Sequence, residues 1–415
     1  MIPIGGKPLL EHQVELARRH GFTEIIVFAG YRAEVIRDYF GDGKRFGVDL
    51  SVITEDEPWG TAGALLEGFE RLAESFAVLY GDTLPNVDLT RIWLKHHSRG
   101  ADATLLLHPN DHPLDSDLVE VNTDGWVESF HNRPHPPGTW FQNLVNAGLY
   151  VIRREALCPW LGTSVPLDFG KDVFPDMLVR GGKLLGYNSF EYIKDVGTPE
   201  RYDRISAEYA SGVVARSSLE TPQRAVFLDR DGTLIPDKDC LRRAEDLELL
   251  PGVGQAIRHL NHNGWRAVLV TNQPVIAKGF CTEAELKRIH NKLETLLGME
   301  HAFLDRIYFC PHHPASGFNG ERRELKMQCE CRKPAPGMIL QAAADLNLDL
   351  RQCWLIGDTT TDMQTAANAQ LPGILVRTGH GGGDARYQAS PRFTCDTLGE
   401  AVDCVLDNVK KVTQP

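Results

Sequence analysis

Long hydrophobic runs are missing from this sequence: none approaches the ~18–20 residues that a bilayer-spanning helix needs. The opening residues, MIPIGGKPLL, lack a basic stretch followed by an apolar core, so no secretory signal is visible. An excess of positive charge is missing too. The net charge of −12 argues against a nucleic-acid partner and offers an anionic membrane nothing, so a phosphorylated ligand must meet locally gathered cations. Cysteine is too scarce for a disulfide framework: the chain has nine, an odd number, in 415 residues. Three of them cluster at 310, 329 and 331, which fits a reducing, cytoplasmic setting with a metal site rather than crosslinks. Internal repeats and low-complexity tracts are absent.

What is present has the apolar content, 42%, of an ordinary globular protein, and the length allows two or three domains with cores of their own. The most informative stretch is AVFLDRDGTL at 225–234. A short apolar run, the pattern of a buried parallel strand, ends in two carboxylates one residue apart and then Gly-Thr. In open α/β sheets, chemistry gathers outside the carboxyl ends of strands. Asp229 and Asp231 fall on the same side of an extended chain, because side chains alternate along it. Two such carboxylates are both ionised only if a cation joins them. The stretch therefore predicts a metal-assisted site with a carboxylate nucleophile and a neighbouring acid/base.

The following residues repeat the pattern. Apolar strands are expected at 267–270, 306–309, 353–356 and 373–376, alternating with helices near 253–263, 282–297, 336–346 and 362–369. The strands end in Thr271-Asn272-Gln273 and Gly357-Asp358, so the polar clusters converge on one crevice of a parallel sheet. The same alternation fills the first half. The fold class expected is α/β with two doubly wound, Rossmann-like domains: 1–210, a linker at 211–223, and 224–415.

The order DxDGT, Thr after a strand, Lys, then GDxxxD resembles the haloacid dehalogenase-type phosphatases over 225 to about 380. The resemblance implies Asp229 as nucleophile and Asp231 as general acid/base. It implies Mg²⁺ on Asp229, the backbone carbonyl of Asp231 and Asp358, supported by Asp362, with Thr271 and Lys333 gripping the phosphoryl oxygens.

CPHHP at 310–314 and CECRKP at 329–334 place Cys310, His312 or His313, Cys329 and Cys331 around one loop. Three thiolates and an imidazole suit a closed structural Zn²⁺, which would stiffen the loop and aim Arg332 and Lys333. This loop is similar to that of two subfamilies, the heptose 1,7-bisphosphate 7-phosphatases and the histidinol-phosphate phosphatases, and the likeness implies His312 as the ligand. TNQPVIAKGF resembles the heptose enzymes' loop, departing at Pro274-Val275, and implies Asp237, Asn272, Gln273 and Arg332 on the substrate. GHGGGDAR at 379–386 lacks the helix pattern of a phosphate loop and is expected to be a mobile surface loop.

The first half carries PIGGKPLLEH, PWGTAGAL, YGDTL, NAGLYVI and YIKDVGTPERY, and resembles the sugar-phosphate nucleotidyltransferases over about 1–205. By that resemblance Asp82 and Asp195 hold a metal, Gly60 and Gly63 pack on the nucleotide base, and Asn146 and Gly148 meet the sugar. The nucleotide implied is GTP or another nucleoside triphosphate. Two departures stand out: the family's opening strand and Gly-rich loop are absent before PIGGKP, and Asn132-Arg133-Pro134 replaces Glu-Lys-Pro. The expectation is a transferase half that is disabled, serves as a binding or dimerisation module, or has its true start upstream. The fusion tips the substrate toward a heptose bisphosphate over histidinol phosphate, because a 7-phosphatase and a sugar-1-phosphate nucleotidyltransferase act in succession. Oligomeric state is left open.

Overall fold

The computed structural model describes residues 1–413 except 56, 164, 239 and 240, and main chain only for 409–413. It divides into two compact units, one of Met1–His108, Asp117–Arg133 and Leu144–Leu219, the other of Pro109–Ser116, Pro134–Asn143 and Glu220–Pro415. Among the described residues no helix is long and apolar enough to cross a membrane.

In the second unit six parallel strands stand in the order Arg306–Cys310, Arg266–Asn272, Ala225–Leu228, Trp354–Gly357, Gly373–Val376, Phe393–Cys395. Ala225–Leu228 is central, and its four side chains are fully buried, as the unbroken apolar run requires. From it the chain passes to Arg266–Asn272 on one side and later to Trp354–Gly357 on the other. This reversal opens a crevice at the carboxyl ends of the two neighbours. Val226, Leu228, Leu269 and Ile356 share one core with helices Val253–His262 and Glu283–Met299. The second helix starts on the Thr282/Glu285 capping box legible in the sequence.

In the first unit the main sheet is mixed. Val145–Arg153 runs antiparallel to both Ser75–Leu79 and Ala103–His108, and Leu184–Asn188 lies parallel to the latter. Among the described residues Glu24–Ala29 pairs in parallel with Asp49–Thr54 alone, as a separate two-stranded sheet. Among the described residues Ser75–Leu79 likewise pairs on one side only, with Val145–Arg153. The side chains of Ser75–Leu79 are all half-buried, as are Ile25–Phe28 in numbers 25–28, although apolar runs of this kind are usually enclosed.

The expected linker at 211–223 spans the boundary between the two units, at Leu219 and Glu220, and is largely structured. It contains the helix Val213–Arg216, whose Val214 is buried with Ile4, Leu9 and Ile205. Leu219 N–H donates to the buried Glu191 carboxylate (2.9 Å), and Gln223 bridges Leu348 beside the second sheet. Low periodicity hid these contacts, because each is made by one isolated residue rather than by a repeating face.

Candidate active site

Asp229 follows the central strand directly, and its N–H still bonds to Ile356 O (3.0 Å). The chain then turns sharply: Arg230 O accepts from the N–H groups of Leu234 (2.9 Å) and Ile235 (3.1 Å). Gly232 holds the turn with φ +77°, and a Cβ there would lie 2.2 Å from Asp358 Oδ2. Glycine is thus demanded twice, by conformation and by the neighbouring carboxylate.

Asp229, Asp358 and Asp362 come together as three buried carboxylates offering oxygens within 4.8 Å of one another. Asp358 follows Trp354–Gly357, and Asp362 lies in the first turn of Thr360–Asn368. Lys333 sits among them, its Nζ 2.8 Å from Asp229 Oδ1 and 2.6 Å from Asp362 Oδ1. Burial pushes Asp229 up to about 8, against the pull of Lys333, and the charges of Asp362 and Asp358 add to the rise. Burial also raises Asp358, to about 6. Burial works against the Lys333 ammonium, but Asp229 and Asp362 outweigh it and hold its pKa above the ordinary value. One oxygen, Asp358 Oδ1, is buried with no hydrogen-bond partner. Orphaned oxygens of this kind cost ~1–3 kcal/mol unless something fills the place. A hard divalent cation fits both the orphan and the all-oxygen donor set.

Asp231 is placed beside this cluster, with its carboxylate held by Arg230 and by Gln273 Nε2 (3.0 Å). Thr271 is buried and accepts from Gln273 Nε2 at 2.8 Å. Asn272, expected on a substrate, meets the backbone of Lys333, accepting from its N–H (3.0 Å) and donating to its carbonyl (3.1 Å). Gln273 is likewise occupied by Arg230, Asp231 and Thr271. Both residues brace the site because the 271–273 segment runs against Lys333 and Arg230. Arg332 is half-buried and donates one N–H to His312 O (3.0 Å), and Asp237 meets His380 Nε2 at 2.8 Å.

The segment 379–386, expected as a mobile surface loop, is pinned to the site. His380 N–H donates to Asp358 Oδ2 (2.7 Å), and Asp384 accepts from Thr360 N–H (2.7 Å) and hydroxyl (2.8 Å). Its glycines let backbone pass close to Asp358: a Cβ on Gly379 would lie 2.1 Å from Oδ2.

Cys310, His312, Cys329 and Cys331 form the second group. Cys331 Sγ lies 3.1 Å from Cys310 Sγ and 3.2 Å from Cys329 Sγ, and His312 Nδ1 is 3.3 Å from Cys331 Sγ. Zinc–sulfur bonds of about 2.3 Å in a tetrahedron would set sulfurs about 3.8 Å apart, so the cluster needs only slight expansion. Burial, then the Cys331 thiol, push the Cys310 thiol above its ordinary value, which a cation would reverse. His313 instead meets Ala315 O at 3.3 Å, so geometry selects His312.

In the first unit Thr83–Asn86 and Tyr192–Asp195 pair antiparallel, and Val196 N–H bonds to Asp82 O (2.8 Å). Asp82 and Asp195 are therefore neighbours: burial raises Asp82, and the charge of Asp195 adds to the rise. Arg201 is bonded to the Asp195 carboxylate. Gly60 opens the helix Gly60–Glu67 at φ +79°, and a Cβ there would lie 2.4 Å from Leu167 O. Gly63 N–H also faces Leu167 O (3.3 Å), and a Cβ on Gly63 would lie 2.9 Å from the Trp59 Cβ. Asn146 accepts from Gly148 N–H (3.3 Å), and Gly148 packs on the Tyr80 ring.

Sequence reasoning missed Arg230, His290 and His380. The first stood in plain view between two aspartates, but its burial is a tertiary fact.

Comparison with known proteins matches residues 1–212 to the nucleotidyl transferase family model and 330–401 to a HAD-hydrolase-like model. The chain is 42% identical over 156 residues to D-glycero-β-D-manno-heptose-1,7-bisphosphate 7-phosphatase of Yersinia pestis, covering 37% of this chain and 81% of that protein. It is 38% identical over 191 residues to the D-glycero-D-manno-heptose-1,7-bisphosphate 7-phosphatase of Thermosynechococcus vestitus, covering 44% and 96%. A solved D,D-heptose 1,7-bisphosphate phosphatase of B. bronchiseptica, complexed with magnesium and phosphate, superposes with TM-score 0.40 at 32% identity, covering 45% and 99%.

Proposed function

Because this chain belongs to the nucleotidyl transferase family through its first half and to the haloacid dehalogenase-type heptose-bisphosphate phosphatases through its second, we propose that it removes the 7-phosphate of D-glycero-D-manno-heptose 1,7-bisphosphate. The observation that carries the reading is the buried Asp229–Lys333–Asp362 arrangement, with Asp358 beside it and Asp231 two positions after Asp229.

An oxygen of Asp229 attacks phosphorus, and the bond from phosphorus to the sugar oxygen breaks. Asp231 gives its proton to that leaving oxygen, so a neutral alcohol departs from an aspartyl phosphate. Asp231, now ionised, takes a proton from water as the water oxygen attacks phosphorus. Inorganic phosphate leaves and Asp229 is restored. Lys333 and Thr271 stabilise the charge that collects on the transferring oxygens. Asp229, Asp358, Asp362 and the Asp231 carbonyl would hold Mg²⁺, which supplies charge neutralisation at the phosphoryl group. Cys310, His312, Cys329 and Cys331 would hold Zn²⁺ in a structural role, keeping Arg332 and Lys333 in place.

Phosphate release from both anomers of the heptose bisphosphate and from histidinol phosphate tests the substrate. Preference for histidinol phosphate would overturn it. Asp229→Asn should abolish release while the circular-dichroism spectrum is unchanged.

For the first half, we read the transferase site as disabled in these residues. Support comes from Arg201, which is bonded to the Asp195 carboxylate expected to hold a metal. Mg²⁺-dependent GTP binding with turnover of a sugar 1-phosphate by the full chain would sink this reading.

A further inference from the structure

Arg230 is 1% exposed, and the mechanism above gives it no task. A guanidinium taken out of water costs several kcal/mol, and Arg230 Nε is buried without a partner, so the bonds its two Nη atoms do make are informative. Its Nη2 lies 3.1 Å from Asp231 Oδ1 and 3.0 Å from Oδ2, and donates to Gln273 Oε1 at 2.8 Å. Its Nη1 faces His290 Nε2 at 3.4 Å. His290 is buried on the helix Glu283–Met299, and burial, with the Arg230 charge adding, lowers its pKa to about 3. The ring is therefore neutral near pH 7, and Nε2 serves as an acceptor for Arg230. Gln273 closes the circuit by donating Nε2 to Asp231 Oδ2 (3.0 Å) and to Thr271 Oγ1 (2.8 Å).

The two aspartates of the motif thus receive separate cations. Lys333 meets Asp229, while Arg230 meets Asp231. Both oxygens of Asp231 are engaged, which stops its carboxylate turning about the Cβ–Cγ bond. Arg230 itself, buried and directed inward, has no route to a phosphate in solution.

We propose that Arg230 is a positioning residue for Asp231: backed by His290 and linked through Gln273, it fixes the plane of that carboxylate relative to the leaving oxygen. This rests on the phosphatase reading given above. In the first half-reaction the proton on Asp231 passes to the sugar oxygen as the phosphorus–oxygen bond breaks, and a carboxyl misplaced by ~1 Å loses on the order of 10²-fold in rate.

The test compares kcat/KM, which reports steps up to departure of the leaving group, for the heptose bisphosphate and for p-nitrophenyl phosphate. A nitrophenolate leaves without a proton, so only the sugar substrate depends on a well-placed Asp231. Arg230→Met should lower kcat/KM on the sugar substrate by on the order of 10²-fold and on the aryl phosphate by less than about 5-fold. Arg230→Lys, which keeps charge and bulk, should recover part of the loss and carries the same test if Arg230→Met fails to fold. In an Asp231→Asn background, Arg230→Met should add nothing further. Equal losses on both substrates, or losses that multiply in the double variant, would overturn the proposal. A wild-type chain that hydrolyses the aryl phosphate but not the bisphosphate would instead refute the substrate reading. β-Glycerophosphate, another alkyl ester, then takes its place in testing Arg230.

Discussion

Lys333 Nζ lies 2.8 Å from Asp229 Oδ1 and 2.6 Å from Asp362 Oδ1, all three groups buried at the end of the central strand. One ammonium thus joins Asp229 to a carboxylate on another element. Lys333→Met would leave those carboxylates facing each other without it. Breaking a buried pair costs ~3–5 kcal/mol, so the urea midpoint in metal-free buffer should fall, with part of the loss recovered on adding Mg²⁺. Turnover should drop by on the order of 10²–10³-fold even in saturating Mg²⁺. An unchanged midpoint would show that Lys333 is not what holds the cluster together.

Metal analysis should find one zinc per chain. Cys329→Ser and His312→Ala should each lower zinc occupancy and the melting temperature, while His313→Ala should leave both near wild type. The contrast follows from geometry, since His312 Nδ1 meets two of the thiols and His313 Nδ1 turns to Ala315 O. Zinc retained by His312→Ala would redirect the fourth ligand.

Gly232→Ala confronts a φ of +77° and a Cβ 2.2 Å from Asp358 Oδ2. The backbone term alone is ~1–2 kcal/mol, and the clash adds to it by displacing Asp358. The expected result is a chain that folds with a lowered melting temperature and has weaker Mg²⁺ activation. Wild-type Mg²⁺ dependence would contradict the close approach.

His96 is 2% exposed, bonded to Thr104 Oγ1 at 2.9 Å, and burial, then His97 and Arg153, lower its pKa to about 4. Its folded pKa lies below the unfolded value near 6.5, so the unfolded chain binds the proton more readily. The neutral ring therefore costs nothing above pH 6.5, and stability is lost progressively as pH falls from there to about 4, by up to ~3 kcal/mol. His96→Gln should be less stable at pH 7 but should lose less between pH 7 and 4.5 in urea titrations. Parallel losses in the two chains would remove His96 from the account.

Much of the catalytic cluster was legible because its residues sit where strand patterns stop. Apolar runs at 225–228 and 354–356 gave way to Asp229 and Asp358, and a parallel sheet brings such ends together whatever the loops do. The grouping of Cys310, His312, Cys329 and Cys331 was legible from chemistry, since thiols and an imidazole gathered in one loop suit a metal. The contacts made by 211–223 and 379–386 were not legible for a shared reason. They are single bonds to distant partners, such as Leu219 to Glu191 and His380 to Asp358, which leave no period to read.

By itself, the sequence determined the α/β class, the order of the two halves, the placing of Asp229 and Asp231 at the end of a buried strand, and the residue types able to hold two kinds of metal. These follow from local pattern and from the intrinsic chemistry of side chains. Only the tertiary structure decided which polar groups meet one another. Asn272 and Gln273 turned inward to Lys333, Asp231 and Arg230, and Arg230 was drawn out of water between two aspartates. Orientation and burial set those contacts, and both depend on what the rest of the chain packs alongside, which no single stretch encodes.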